Sequence, residues 1–285
     1  MLNSRRLLTR FALAAVVLLV GLPVLAASQR SRSPGSVPKT APQAGPKANP
    51  TMTQSRSASA IFSQGESLSY IATLNELPAG EGEARLYKEQ QGGREVYRFT
   101  ARARSSELVD YLYTRRDTAE AVFTVSDYGP ISFRLLSEEG ERKREYGVRY
   151  DPLTKALLGS VRKRDRVREQ TIPAAGVYDP ASAIYLLRSR DLSPGMLLQT
   201  DIFTGKGQYR FVAQVIGKET IRLGGKERPA IRLHPEAFSL EKNPEKNLLP
   251  QETILWVSAD ATHIPLKLES EVVFGRIVVE LNQQS

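Results

Sequence analysis

The chain has 285 residues, 40 Lys and Arg against 31 Asp and Glu, and no cysteine. Without cysteine there are no disulfides, no thiol nucleophile and no zinc-thiolate site, so a folded domain must be held by packing alone. The formal charge of +9 does not imply nucleic acid, because it is not spread over the whole chain. Eight basic residues precede residue 60 and meet no acid, whereas from residue 60 onward 32 basic residues face all 31 acidic ones. Nucleic-acid binding needs basic charge concentrated on a folded face, and this domain is nearly neutral.

In chain order, Arg5, Arg6 and Arg10 form a basic start. The uncharged Ala, Val and Leu stretch from Phe11 to Leu25 follows, ending in small residues at Ala26. This is the build of a secretory signal peptide over 1–26 with cleavage after Ala26. The competing reading is an uncleaved anchor, but a spanning helix needs about 20 apolar residues, and Gly21 and Pro23 interrupt this run. Ser4-Arg5-Arg6-Leu7-Leu8 also resembles a twin-arginine signal, with Thr9 off pattern. Export to the periplasm or cell envelope, and a mature protein that is soluble but close to a membrane, are the expectations. Residues 27–59 are built mostly from Ser, Pro, Ala, Gln, Gly, Lys and Arg, with no aromatic residue and almost nothing large and apolar. That composition buries too little apolar surface to offset its conformational entropy and predicts a disordered basic linker.

From 60 to 285 the composition is globular and the dominant pattern is apolar-polar alternation, the period of strands with one face in a core. Leu68, Tyr70, Ala72 and Leu74 share one face of a first strand. Ala84 to Gln90, the Gly92-Gly93 turn and Arg94 to Arg104 read as a hairpin, with Tyr97, Phe99, Ala101 and Ala103 inward and Arg94, Arg98, Arg102 and Arg104 outward. Further strands are expected at 121–126, 132–138, 142–150, 155–164, 166–172, 208–217, 220–223, 230–233, 253–258, 265–270 and 272–281. Glycines at 140, 207, 217, 224 and 225 are expected between strands as turn formers. One helix stands out: Asp179 offers an N-cap, Pro180 suits the first helical position, and Ala183, Ile184 and Leu187 lie on one side up to Arg190. A second helical turn is expected near 107–113. The predicted fold is mainly β, a curled antiparallel sheet, half-barrel or barrel, with one principal helix packed on it. No 20-to-50-residue repeat is evident.

Three segments resemble a known family. Asp110-Tyr111-Leu112-Tyr113-Thr114-Arg115-Arg116-Asp117, then Asp179-Pro180-Ala181-Ser182-Ala183-Ile184-Tyr185-Leu186-Leu187-Arg188, then Trp256-Val257-Ser258-Ala259-Asp260 with Pro265-Leu266-Lys267-Leu268-Glu269 and Gly275, are similar to the bacterial exported family called domain of unknown function 3108. The resemblance implies a β-rich exported protein and no defined reaction. The last segment is also similar to the closing hairpin of periplasmic half-barrels that carry or sense lipoproteins, which implies a curved sheet around helices with acyl chains in its concavity.

Residues with catalytic chemistry are few. The only histidines are His234 and His263, both expected as surface turn residues, and neither has the spacing of a metal motif. No nucleophile elbow or phosphate loop occurs. Asp260 with His263, backed by Ser258, is the one conceivable relay, against a simpler reading of Asp260 as a turn-stabilising side chain. The basic residues at 142–168 read either as an anion-binding face or as a solvated face with cross-strand acid partners. No cofactor and no metal is expected.

Three functions remain at this stage. The first is a non-catalytic envelope module for an apolar or amphiphilic ligand. The second is an interaction or scaffold protein, and the third an envelope hydrolase. Expected partners are a lipid, a lipoprotein or an envelope polymer. A ligand site is expected between the 179–190 helix and the Tyr97 and Phe99 face, with Leu187, Arg188 and Trp256 completing it.

Overall fold

The computed structural model describes Phe62 and residues 64–285, apart from 112, 113, 242, 273 and 274. The expected export signal, its expected cleavage after Ala26 and the expected linker lie outside the described residues. Among those residues no helix is long and apolar enough to cross a membrane.

Among the described residues fifteen strands form one sheet. They are β1 (Glu66–Leu74), β2 (Leu77–Gln91), β3 (Arg94–Ser105), β4 (Arg115–Thr124), β5 (Pro130–Glu139), β6 (Arg142–Asp151), β7 (Ala156–Lys163), β8 (Arg166–Pro173), β9 (Val177–Tyr178), β10 (Leu197–Phe203), β11 (Gln208–Leu223), β12 (Lys226–Ser239), β13 (Ile254–Ser258), β14 (Pro265–Val272) and β15 (Gly275–Gln284). A single turn, α1 (Glu107–Asp110), follows β3, and the principal helix, α2 (Pro180–Arg188), follows β9.

Strands next to each other in sequence pair, except β8 with β9, and β1 pairs antiparallel with β15, so the first and last strands described lie in the middle of the strand order. The free edges are β8 and β9. Only residues 174–176 separate those two strands, which forces the edges together and curls the sheet into a nearly closed barrel. Inner and outer faces alternate along each strand. Leu68, Tyr70 and Ala72 of β1, and Tyr97, Phe99, Ala101 and Ala103 of β3, are buried on the inner face.

The seam is sealed from inside by the β10–β11 turn. Phe203 lies against Gly159 of β7 so closely that a Cβ on that glycine would stand 2.3 Å from the Phe203 ring. Gly205 meets the Gly147 carbonyl in the same way. Gln170 of β8 adds a bond from its amide to Glu241 at 3.0 Å.

The helix occupies the lumen. Asp179 caps it by accepting from the Ala181 and Ser182 amides, while the Ser182 hydroxyl accepts from the Asp179 amide, a reciprocal capping box. The helix ends at Arg188, two residues sooner than its sequence pattern suggests, with Ser189 as its C-cap. Ala181, Tyr185 and Leu186 pack into an aromatic core with Phe62, Tyr97, Phe99, Phe123 and Tyr128. Tyr185 stacks on Phe123 at 5.6 Å and meets Phe62 edge-on at 5.1 Å. Ala183, Ile184 and Leu187 turn the other way, toward β10–β13. A helix on an open sheet needs one apolar stripe; this one, surrounded by sheet, is apolar on two sides.

Several boundaries differ from the sequence reading. β2 starts at Leu77, running through Pro78 and Gly80, because Pro78 sits at a register shift opposite Thr73, where a missing N–H is tolerated. β4 starts at Arg115, six residues earlier than expected. Gly217 ends no strand: β11 continues to Leu223 through a bulge between Val215 and Gly217. β12 runs from Lys226 to Ser239 despite Pro229 and Pro235. β9 and β10 were not expected at all.

Candidate functional site

Two cavities flank α2. The larger, about 90 Å³, lies between the helix and β10–β13. Ile184 and Leu187 form its helical wall, and Phe211, Leu233, Leu255 and Val257 the sheet wall. The register accounts for that wall, because Leu233 stands opposite Leu255 and Ile231 opposite Val257, all on the inner face. The smaller, about 20 Å³, lies on the other side of the helix against Leu68, Ala84 and Phe99. Ile184, Arg188 and Pro265 border both.

Arg188 is the charged centre of this region, and its side chain is only 5% exposed. Its guanidinium forms a two-pronged pair with Glu66, Nη1 donating to Oε1 at 2.6 Å and Nη2 to Oε2 at 2.8 Å. Nε donates to the Thr262 carbonyl at 3.0 Å. Its carbon stands 4.9 Å from the ring centroids of both Phe62 and Tyr185, within cation-π range. The Tyr185 hydroxyl donates to Glu66 Oε1 at 2.7 Å. Burial pushes the Glu66 carboxyl up, but the Arg188 charge and the bonds from Arg188 and Tyr185 outweigh it and hold the group below its ordinary value. Through these bonds Arg188 fixes the end of α2 to the start of β1 and to the Thr262 turn.

The five residues predicted to form a ligand site divide. Leu187 lines the larger cavity, Phe99 the smaller, and Arg188 stands between them. Tyr97 is fully buried in the aromatic core and borders neither. Trp256 borders neither cavity: its ring is buried in a separate apolar cluster that includes Leu223, Ala230 and Ile264. There it lies between Arg232 and Lys267 and donates its indole N–H to Glu219. Glu66, Phe211, Leu233 and Leu255 were not anticipated. Glu66 gave no local signal, since its role depends on a partner 122 residues away.

The Asp260 and His263 relay is not assembled. Asp260 accepts from the Ser258 hydroxyl and from the Thr262 amide and hydroxyl, which makes it a turn-stabilising carboxylate. His263 points inward and donates from Nδ1 to the Arg188 carbonyl at 2.8 Å. It is buried rather than on the surface, and burial lowers its pKa. His234 lies within β12, half-buried, with Nε2 3.0 Å from the Gln251 carbonyl. Among the described residues no cluster of His, Asp and Glu could hold a metal ion.

The arrangement can therefore shield a small apolar group beside a helix that is anchored at both ends. A crystal structure of a β-barrel-like protein of domain of unknown function DUF1849 from Brucella abortus is similar in fold, with a TM-score of 0.51 at 8% identity, covering 78% of this chain and 97% of that one. The hypothetical lipoprotein YmcC from Escherichia coli aligns at 14% identity over 80% of this chain and 88% of its own, with a TM-score of 0.29. No curated protein matches. The family described as protein of unknown function (DUF3108) matches residues 69–282, from the first strand through the last, and the chain belongs to it.

Proposed function

We propose that the protein is a non-catalytic binding module of the cell envelope that accepts a single apolar chain end in the cavity between α2 and β10–β13. The observation that carries this reading is the wall itself: aliphatic and aromatic side chains on both sides, with the half-buried Ile184 and Leu187 at its edge. Binding sites are mostly apolar with a few orienting polar groups. Here His263 and Arg188 supply the polar border.

Size narrows the ligand. Drug-sized pockets run to about 300–1,000 Å³, whereas an apolar cavity of about 150 Å³ takes one benzene ring. A space of about 90 Å³ suits a few carbons of one alkyl chain, with the rest of the molecule outside. The signal-like residues 1–26 favour an envelope location, where amphiphiles with such chains are abundant.

The test is titration with a fluorescent fatty acid, comparing the parent with Leu187→Arg and with Tyr87→Arg, the latter on the outer surface. Saturable binding by the parent and by Tyr87→Arg, with at least a tenfold loss in folded Leu187→Arg, is expected, since a charge placed in an apolar site must be desolvated. Absence of saturable binding by the parent overturns the reading in favour of an interaction or scaffold role.

A further inference from the structure

The cations of the barrel differ in how they are paired. On β2–β6 most are neutralised across strands: Arg98 by Glu89, Arg104 by Glu81, Arg134 by Glu145, Lys143 by Glu138 and Arg144 by Glu139. The exposed cations of the β11–β12 hairpin, Lys218, Arg222, Lys226 and Arg228, lack ion pairs among the described residues, but none of them faces another cation; the β7–β8 hairpin differs in setting cations opposite each other, with Asp165 and Glu169 as its acids. Arg162 reaches Glu145 only at 3.9 Å, and Lys163, Arg164, Arg166 and Arg168 form no ion pair among the described residues. Residues 162–169 are exposed without a break.

Their placement is specific. Lys163 stands directly opposite Arg166, and Arg168 opposite Val161. Val161 packs against the interior core, so these three cations occupy the inner face where the hairpin runs past that core. Arg164 holds the turn at φ +53°, a conformation that favours glycine. Like charges set opposite each other on one face destabilise a sheet. Charged residues do protect an edge strand such as β8 from pairing with another sheet, but that need is met without opposing two cations.

We propose that the β7–β8 hairpin docks the protein on an anionic lipid surface, with headgroup phosphates accepting from Lys163, Arg164, Arg166 and Arg168. The cations spread over a turn and the strands beside it and enclose no cavity, which matches a plane of phosphates better than one small ion. Guanidinium forks suit phosphate oxygens. Residues 27–59 add five basic residues and no acid to the same attraction, and such attraction grows with each cation and is screened by salt. The inference is independent of the apolar cavity.

Co-sedimentation of the full chain with vesicles tests it. Phosphatidylcholine vesicles set the baseline from the rest of the chain, and vesicles containing phosphatidylglycerol report the charge-dependent part. A Lys163→Ser, Arg166→Ser, Arg168→Ser variant is compared with Arg85→Ser, Arg98→Ser, Arg134→Ser, which removes the same charge from paired positions, and circular dichroism confirms that both fold. The expected result is stronger binding to the anionic vesicles, lost about tenfold in the hairpin variant and little changed in the control. A single Arg166→Glu gives the same direction if the triple variant folds poorly. Equal losses in both triple variants, no preference for anionic vesicles, or binding of inorganic phosphate or soluble polyphosphate without vesicle binding would each overturn the proposal.

Discussion

Asp179 and Arg188 bracket the one substantial helix, and each is an ionisable group deep in a protein without disulfides. Arg188 is matched in charge by Glu66, which is why it is tolerated there: a buried charge left without its partner costs several kcal/mol. Asp179 has no such counter-charge. Burial raises its carboxyl to about 6, against the opposing effect of bonds from the Ser182 hydroxyl and the Ser182 and Ala181 amides, and its second oxygen has no hydrogen-bond partner. Because the folded value lies above the ordinary one, the folded chain holds an extra proton between about pH 4 and 6, and stability falls as pH rises through that window. Asp179→Asn keeps an oxygen for the cap and cannot ionise. It is expected to match the parent near pH 4 and to exceed it by about 1–3 kcal/mol at pH 7, measured by urea unfolding at both values. A parent whose stability relative to the variant is the same at both values would show that Asp179 does not titrate as described.

At the scale of the element, α2 is held by its cap and by the Arg188 pair as much as by packing, because its β10–β13 side meets a cavity. Leu187 is only half-buried beside that space. Leu187→Ala is therefore expected to cost about 1 kcal/mol rather than the roughly 2–5 kcal/mol of a fully packed leucine, again by chemical denaturation. The helix was legible from Asp179-Pro180, which is cap chemistry confined to neighbouring residues. So was the alternation of β1 and of the β2–β3 hairpin, where every second side chain is buried. β10 was not legible, since Leu197-Leu198-Gln199-Thr200-Asp201-Ile202-Phe203 reads as neither alternating nor uniformly apolar. β12 hid behind Pro229 and Pro235, which the sheet tolerates only through its particular register. The site was half legible for the same reason. Leu187 followed from helical spacing, while Trp256 packs into a separate apolar cluster, a placement set by strand pairing across a bulge at Trp256 and Val257 that its sequence neighbours do not reveal.

For the whole molecule, closure of the barrel rests on a narrow seam rather than on a continuous ladder. Gly159 is small because Phe203 fills the place of its side chain. Gly159→Leu is expected to drive Phe203 out and to destabilise by about 1–3 kcal/mol or more, as overpacking does, with faster amide exchange in β7 and β10 than in β3 and β4. Uniform exchange across the barrel would mean that the seam does not open independently. The other junction has a different consequence. Leu68 pairs with Gln284, and the Ser67 and Ser285 backbones exchange two hydrogen bonds at 2.8 and 2.9 Å. A strand made early in synthesis must therefore wait for one that follows about 200 residues later, and at roughly 5–20 residues per second that wait is tens of seconds. Such long-range pairing belongs to slow folding, so the emerging chain spends that interval with β1 as an open edge, the period in which a chaperone would find it unpaired.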